Sequence, residues 1–508
     1  MDHVIVSAGM GDITTTLSPQ PETVSWWRAT DSPPPIGIYS TRFSPAVSIL
    51  AAVFLLASLV TVVWLSSSIP KLERMEAPDQ ALTRMVGRTM DAQEGLKRAP
   101  VWKQKILGWI SGDSEAERAH AIEWYQELAQ ISEDPVVAIQ LAVLQAESGQ
   151  VQQALLSAQG WSKLDEPFPR LAGLIRASYD GEAAASLGWL DSLQADAAEW
   201  LPAGWFYDRV AERLAERANN TELLNTVRQT AAARADRIFS RSWRLTVMEL
   251  MAMMTGTIVL IGLWRTRKTV PEVLRLHPIG VPPPWPGGVG AAVLLRGGAL
   301  GAIITAAFLL YLPPENASLR ALAIPLTNLP LLVLAYHHLF RPSGMSFDQG
   351  FGLDVPWTRL GPLLAAVFAV VGAGLWGEWV MDRLAEHWHW TSHWTEWFDA
   401  DLVWGSPSQT MVSLIEYVLF APLFEELAFR GLLFAILRRK FRFLPAAVMS
   451  AGIFGIAHGY GLVGLISVCW SGVLWAWIYE KTGSLLPGIL AHSINNLLVC
   501  LAVMALLR

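Results

Sequence analysis

The chain has 508 residues, 52% of them hydrophobic and only 16% charged, an apolar excess beyond what one soluble core of this length needs, so it reads as an integral membrane protein. A net charge of −6 without a basic block argues against nucleic acid as a partner. The two cysteines, Cys469 and Cys500, both lie in apolar runs and exclude a disulfide framework or a cysteine-built metal site.

Residues 1–44 are polar, with "DSPPPIG" at 31–37, and read as a disordered lead rather than a signal peptide. A first transmembrane helix is expected at 45–65, "PAVSILAAVFLLASLVTVVWL", long enough at about 1.5 Å per residue to cross about 30 Å of hydrocarbon. From 68 to 243 the composition turns charged, Ala-rich and helical, which marks a soluble insert. Within it "DPVVAIQLAVLQAESGQVQQALLSAQ" at 134–159 predicts a helical hairpin, opened by Asp134-Pro135 and broken at Gly149. One such hairpin resembles a tetratricopeptide-type unit, but no second copy recurs at a fixed period, so the insert is either repeat-like or an irregular bundle.

A second transmembrane helix is expected at 246–264. The "RTRK" that follows at 265–268 belongs on the cytoplasmic side, which puts the 68–243 insert on the non-cytoplasmic side. A proline-rich linker at 265–288, including "HPIGVPPPWPGG", then separates this front half from a multi-helix membrane domain at 289–508. Apolar runs at 289–312, 319–340, 360–380, 408–438, 443–459, 461–479 and 485–507 bring the expectation to about nine crossings. On that count "LFRP" at 339–342 and "RRKFR" at 438–442 fall inside and the C-terminus outside. The Trp- and His-rich stretch 376–405 reads as an amphipathic helix at the headgroup layer rather than a metal site. The fold class is therefore all-α: a polytopic membrane protein of about nine transmembrane helices with a soluble helical domain inserted between the first two.

Charged groups within a bilayer cost at least a few kcal/mol each, so clusters of them are sites by default. Three clusters fall in the last third of the chain: Glu425, Glu426 and Arg430 in "PLFEELAFRGLLF", Phe454 and His458 in "FGIAHG", and His492 and Asn496 in "LAHSINNLL". Glu426 and Arg430, four apart, share a helix face and can pair. Glu425 points about 100° away, into a different space. Held in a low-dielectric site beside His458, Glu425 can take a proton from a positioned water. His492 and Asn496, also four apart, can donate to the oxyanion that forms when a peptide carbonyl becomes tetrahedral. Water, base and oxyanion donors together describe amide hydrolysis.

These ordered motifs, E-E-x-x-x-R, F-x-x-x-H and H-x-x-x-N, resemble the CPBP (Abi) family of intramembrane proteases, which includes the type II CAAX prenyl endopeptidases and bacteriocin-immunity proteins. "EKTGSLLPGILAHSINNLL" at 480–498 is similar to the family's last motif, and "FDQGFGLDVP" at 347–356 resembles the loop before its core, so the resemblance covers about 345–508. It implies an endopeptidase with Glu425 and His458 on the water, His492 and Asn496 on the oxyanion, and Glu426, Arg430 and Phe454 in support. No cofactor is needed for that chemistry. The alternatives are a metal-dependent version, with zinc on Glu425, His458 and His492, and a non-catalytic membrane peptide-binding or immunity protein. The implied partners are membrane lipid and a peptide or membrane-protein substrate, which the 68–243 domain would help to bind. The expected location is a bacterial plasma membrane.

Overall fold

The computed structural model describes residues 34–68, 71–110, 114–180, 187–270, 272–311 and 317–508. Residues 1–33 of the expected polar lead, 69–70, 111–113 and 181–186 of the insert, 271 of the linker and 312 of the run 289–312 lie outside the described residues. Among the described residues every regular element is helical and none is a strand. Seven helices among the described residues are long and apolar enough to cross a membrane: Pro45–Leu65, Thr221–Thr266, Gly287–Tyr311, Ala321–Ser343, Trp357–His387, Leu462–Thr482 and Leu486–Leu507. Only 6% of the first of these is buried inside the protein, so its apolar surface requires lipid rather than a protein core.

The expectation of nine differs by two runs, each for a physical reason. Phe443–His458 has 16 residues and stops at Gly459, whose φ of +67° is the left-handed helix terminus that glycine adopts without strain. The run 408–438 is helical but divided: α over Pro407–Ile415, π over Glu416–Phe420, α over Ala421–Glu425, π over Glu426–Phe434 and α over Ala435–Arg438. Pro422 has no N–H to give to the carbonyl one turn back, and its ring crowds that carbonyl. The wider π register at 416–420 relieves the conflict.

Two further sequence expectations change. The boundary drawn between insert and second span at 243–246 falls inside one uninterrupted helix, Thr221–Thr266. No proline lies within it, and its first half is charged while its second is apolar, so the same backbone passes from one surrounding to the other. The proline-rich stretch is a seated strap. Leu276 and His277 donate their backbone N–H groups to the Thr482 carbonyl at 2.9 and 3.1 Å, His277 Nε2 meets Asp354 at 3.0 Å, and Trp285 is fully buried.

Before the long helix, the helices Pro78–Arg98, Ser114–Ile131, Pro135–Glu147, Val151–Trp161, Phe168–Tyr179 and Trp205–Arg217 pack on one another. The expected hairpin is present: Asp134 caps it by accepting from the Val136 N–H at 2.8 Å, and Gly149 turns the chain at φ +88°. These helices bury Leu82, Met85, Tyr125, Leu144 and Phe206, and the same core takes in Trp394, Leu402, Val403, Val503 and Leu507. That explains why 376–405 is not an interfacial helix. Its first part ends the long helix Leu360–His387, and the rest folds irregularly because Trp394 finds a protein core and His393 finds Glu127 at 3.1 Å.

The molecule therefore has two distinct ends. At one gather the basic flanks and the strap, with Arg438 on Glu480 at 2.6 Å, Arg439 on the Pro283 carbonyl and Tyr39 on Ser343. At the other, Trp379 donates to the Trp109 carbonyl at 3.1 Å and Arg84 to the Leu507 carbonyl at 3.2 Å, joining the charged helices to the membrane helices.

Candidate active site

Four late elements build the site: the kinked helix 407–438, Phe443–His458, Leu462–Thr482 and Leu486–Leu507. Glu426 and Arg430 are both fully buried, and Arg430 Nη1 donates to Glu426 Oε1 at 2.8 Å. A buried pair of this kind holds only if its remaining charge finds partners. Here the guanidinium lies over Phe454 at 4.3 Å and Trp475 at 4.9 Å, where the ring faces replace water as the electrostatic partner. Two glycines make room: a Cβ at Gly472 would stand 2.7 Å from Arg430 Nη2, and one at Gly488 would stand 3.3 Å from Glu426 Oε2.

His492 joins this pair from the last helix. Its Nδ1 lies 3.2 Å from Glu426 Oε1, its Nε2 lies 3.7 Å from Glu425 Oε2, and its ring stacks on Trp475 with centroids 3.8 Å apart. The Glu426 carboxylate accepts from Nδ1–H, which directs Nε2 at Glu425. The 3.7 Å gap is too long for a direct hydrogen bond but suits a shared water set off the line between them. His458 is oriented from its own helix: Nδ1–H donates to the Phe454 carbonyl at 2.8 Å, leaving a lone pair on Nε2. The Phe454 ring is the hub, with His458 at 4.5 Å and His492 at 6.2 Å between centroids.

Of the residues expected from the sequence, Arg430, His458 and His492 meet around the Phe454 ring, Glu426 joins them through Arg430 and His492, and Glu425 faces His492. Asn496 stands one turn further along the last helix, where its amide donates to the Tyr417 carbonyl at 2.9 Å. Tyr417 lies in the π segment Glu416–Phe420, so one amide hydrogen of Asn496 is held by the kink itself. Trp475, Gly472, Gly488 and Tyr417 are contributors that motif reading did not single out. The signal available for the first two was the spacing of Gly472, Trp475 and Tyr479 on one helix face, all buried.

As to a metal, zinc requires donor atoms converging on one point at about 2.0–2.2 Å. Among the described residues no group of three or more His, Cys, Asp or Glu side chains is disposed to hold one.

The cluster from Glu425 to Asn496 lies within a segment whose kinship is recognisable. Residues 407–498 match the family model of the Rce1-like type II CAAX prenyl endopeptidases. No curated protein and no solved structure matches the chain. The family match takes in all three motifs and begins at the head of the kinked helix, so the 345–406 part of the wider resemblance and the whole front half lie outside it. The apolar helices mark an integral membrane protein, and its segment 407–498 is similar to the Rce1-like protease domain.

Proposed function

We propose that the chain is an intramembrane endopeptidase in which Glu425 activates a water against a peptide carbonyl. The observation that carries this reading is His492 held between two carboxylates, Glu426 at 3.2 Å and Glu425 at 3.7 Å, from a helix distant in sequence. In the proposed mechanism Glu425 and the lone pair on His458 Nε2 orient the water. Glu425 takes its proton as oxygen attacks the carbonyl carbon. His492, fixed by Glu426 and Trp475, donates Nε2–H to the developing oxyanion, with the second amide hydrogen of Asn496 beside it. Glu425 then returns the proton to the leaving amine. Arg430 stays paired throughout and keeps the charge of Glu426 tolerable.

The proposal extends to nine crossings, counting the kinked helix 407–438 and Phe443–His458 as spans that line a water-filled chamber. It places the charged helices of 68–243 outside a bacterial plasma membrane, as a module that presents a peptide or membrane-protein substrate. The carboxyl, imidazole and amide groups suffice for the reaction without a Lewis acid, so metal analysis of purified protein and chelator treatment are expected to leave turnover unchanged.

The direct test compares membrane peptides in cells carrying the parent chain and Glu425→Ala. A peptide product should vanish in the variant. With that product as assay, Glu425→Gln and His458→Ala should each lose about 10²- to 10⁴-fold in turnover per folded molecule, and unaltered turnover in Glu425→Gln would exclude Glu425 as the base.

A further inference from the structure

Next to the proposed active site lies a second chamber with no part in the water chemistry. The helices Thr221–Thr266, Leu360–His387 and Leu486–Leu507 pack pairwise. The first two cross in backbone contact, since a Cβ at Gly256 would stand 2.6 Å from the Gly372 Cα, and Trp376 ties them by donating to Thr257 at 2.9 Å. About two turns beyond that crossing, toward the charged helices, they have diverged around a cavity of about 330 Å³. Leu375, Leu498, Val499, Ala502, Val503 and Leu506 give it an apolar wall and Trp397 lies against it, yet Glu249, Glu378 and Asn495 also face into it.

Two carboxylates in an apolar chamber at membrane depth need a reason. Among the described residues neither Glu249 nor Glu378 makes a side-chain hydrogen bond or ion pair. Asp382, one turn from Glu378, adds a third acid within electrostatic reach. The nearest cation of that helix, Arg383, is committed to Glu386 at 2.8 Å and to the Ile110 carbonyl. The chamber therefore holds acid without base.

It also lies close to the reaction site. A narrow crevice lined by Trp475, Ala491, Ser471 and Val371 adjoins the cavity at Leu375, Asn495 and Leu498, and Trp475 is the residue stacked on His492. Val499 in its wall is 50% exposed, so the chamber reaches the outer surface of the helix bundle. We propose that this cavity is a substrate subsite for a basic side chain, a lysine or arginine whose alkyl stem lies along the leucine and valine wall and whose charged head reaches Glu249 and Glu378. The middle of the cavity lies about 13 Å along the last helix from His492, which is about four residues of extended peptide at about 3.3 Å each. The preferred substrate is then an apolar peptide with one basic residue about four positions from the cleaved bond.

This inference rests on the protease reading for its meaning, but its test does not. The full chain is placed in nanodiscs of phosphatidylcholine alone, so that no amine-bearing lipid competes. Binding is measured for two fluorescent peptides that share one apolar sequence and differ by a single lysine or leucine. The lysine peptide should bind about tenfold tighter or more, the scale of a charge-assisted hydrogen bond in a desolvated site. Glu249→Gln combined with Glu378→Gln should abolish the preference for lysine over leucine, in protein whose thermal midpoint and elution profile match the parent chain. Equal affinities in the parent chain, no binding of either peptide, or a preference that survives in the double variant would each overturn the subsite. Lysine-selective binding without cleavage of either peptide would uphold the subsite and count against the protease reading instead.

Discussion

Glu425 and Glu426 are neighbours in the chain and opposites in surroundings. Glu426 is fully buried between Arg430 and His492, whereas Glu425 keeps 29% of its side chain exposed and faces the imidazole across a gap. Glu426→Gln should accordingly reduce the yield of folded protein more than turnover per folded molecule, because it leaves Arg430 buried with its charge uncompensated, a loss of about 3–5 kcal/mol when one partner of such a pair is removed. If Glu426→Gln instead folded in full yield and lost all turnover, the roles of the two glutamates would have to be exchanged. Gly472→Ala is a sharper probe of the same pocket. Its methyl would meet Arg430 Nη2 at 2.7 Å and the Ala451 Cβ at 2.9 Å, so a loss of about 1–3 kcal/mol is expected from overpacking, read as a lower thermal midpoint in detergent. The Glu426–Arg430 pair was legible in the sequence because a four-residue spacing fixes it. The His492–Glu426 contact was not, since helix packing alone joins residues so far apart, and nothing in a helical pattern announces that Trp475 will stack on an imidazole.

At the scale of elements, the sequence disclosed apolar runs and their order but not how the backbone accommodates polar groups inside them. The run 408–438 reads as one long span, and only the structure exposes two π segments around Pro422 and the glutamates. The strap at 272–286 misled in the opposite sense: prolines and glycines usually mark a loose connection, but here the prolines leave fewer backbone donors to satisfy, and Leu276 and His277 place theirs on Thr482. Asn496 tests whether kink and chemistry are linked. It holds the Tyr417 carbonyl at 2.9 Å and stands one turn from His492. If its second hydrogen serves the oxyanion, Asn496→Ala should lower turnover per folded molecule by about 10²- to 10³-fold, with a stability loss of only about 1 kcal/mol from the freed carbonyl. A variant that loses thermal stability and keeps its turnover would restrict Asn496 to bracing the kink.

Across the whole molecule, the distribution of charge and of core argue for one orientation. The end that carries Arg265, Arg267 and Lys268, together with Arg341, Arg438, Arg439, Lys440 and Arg442, holds the strap and short connections, where the excess of basic residues governs insertion. The opposite end carries the charged helices of 78–217 together with the charged first half of Thr221–Thr266, whose arginines pair back onto them, Arg234 with Asp91 and Asp208 and Arg228 with Glu212 and Glu216. Those pairs give little orienting bias, so the end with the basic excess should stay in the cytoplasm and the helical region should be carried across. The shared core with Trp394, Val503 and Leu507 then means that the exported region is docked on the outer ends of the membrane helices, on the same side as the acidic chamber. The measurement uses a chain in which Cys469→Ala and Cys500→Ala remove the native thiols, and Lys163→Cys or Lys440→Cys supplies one exposed reporter. A membrane-impermeant maleimide should label the Lys163→Cys chain in intact cells and the Lys440→Cys chain only after permeabilisation. The reverse pattern would invert the molecule, put the acidic chamber on the cytoplasmic side, and require that substrates reach the site from the opposite leaflet.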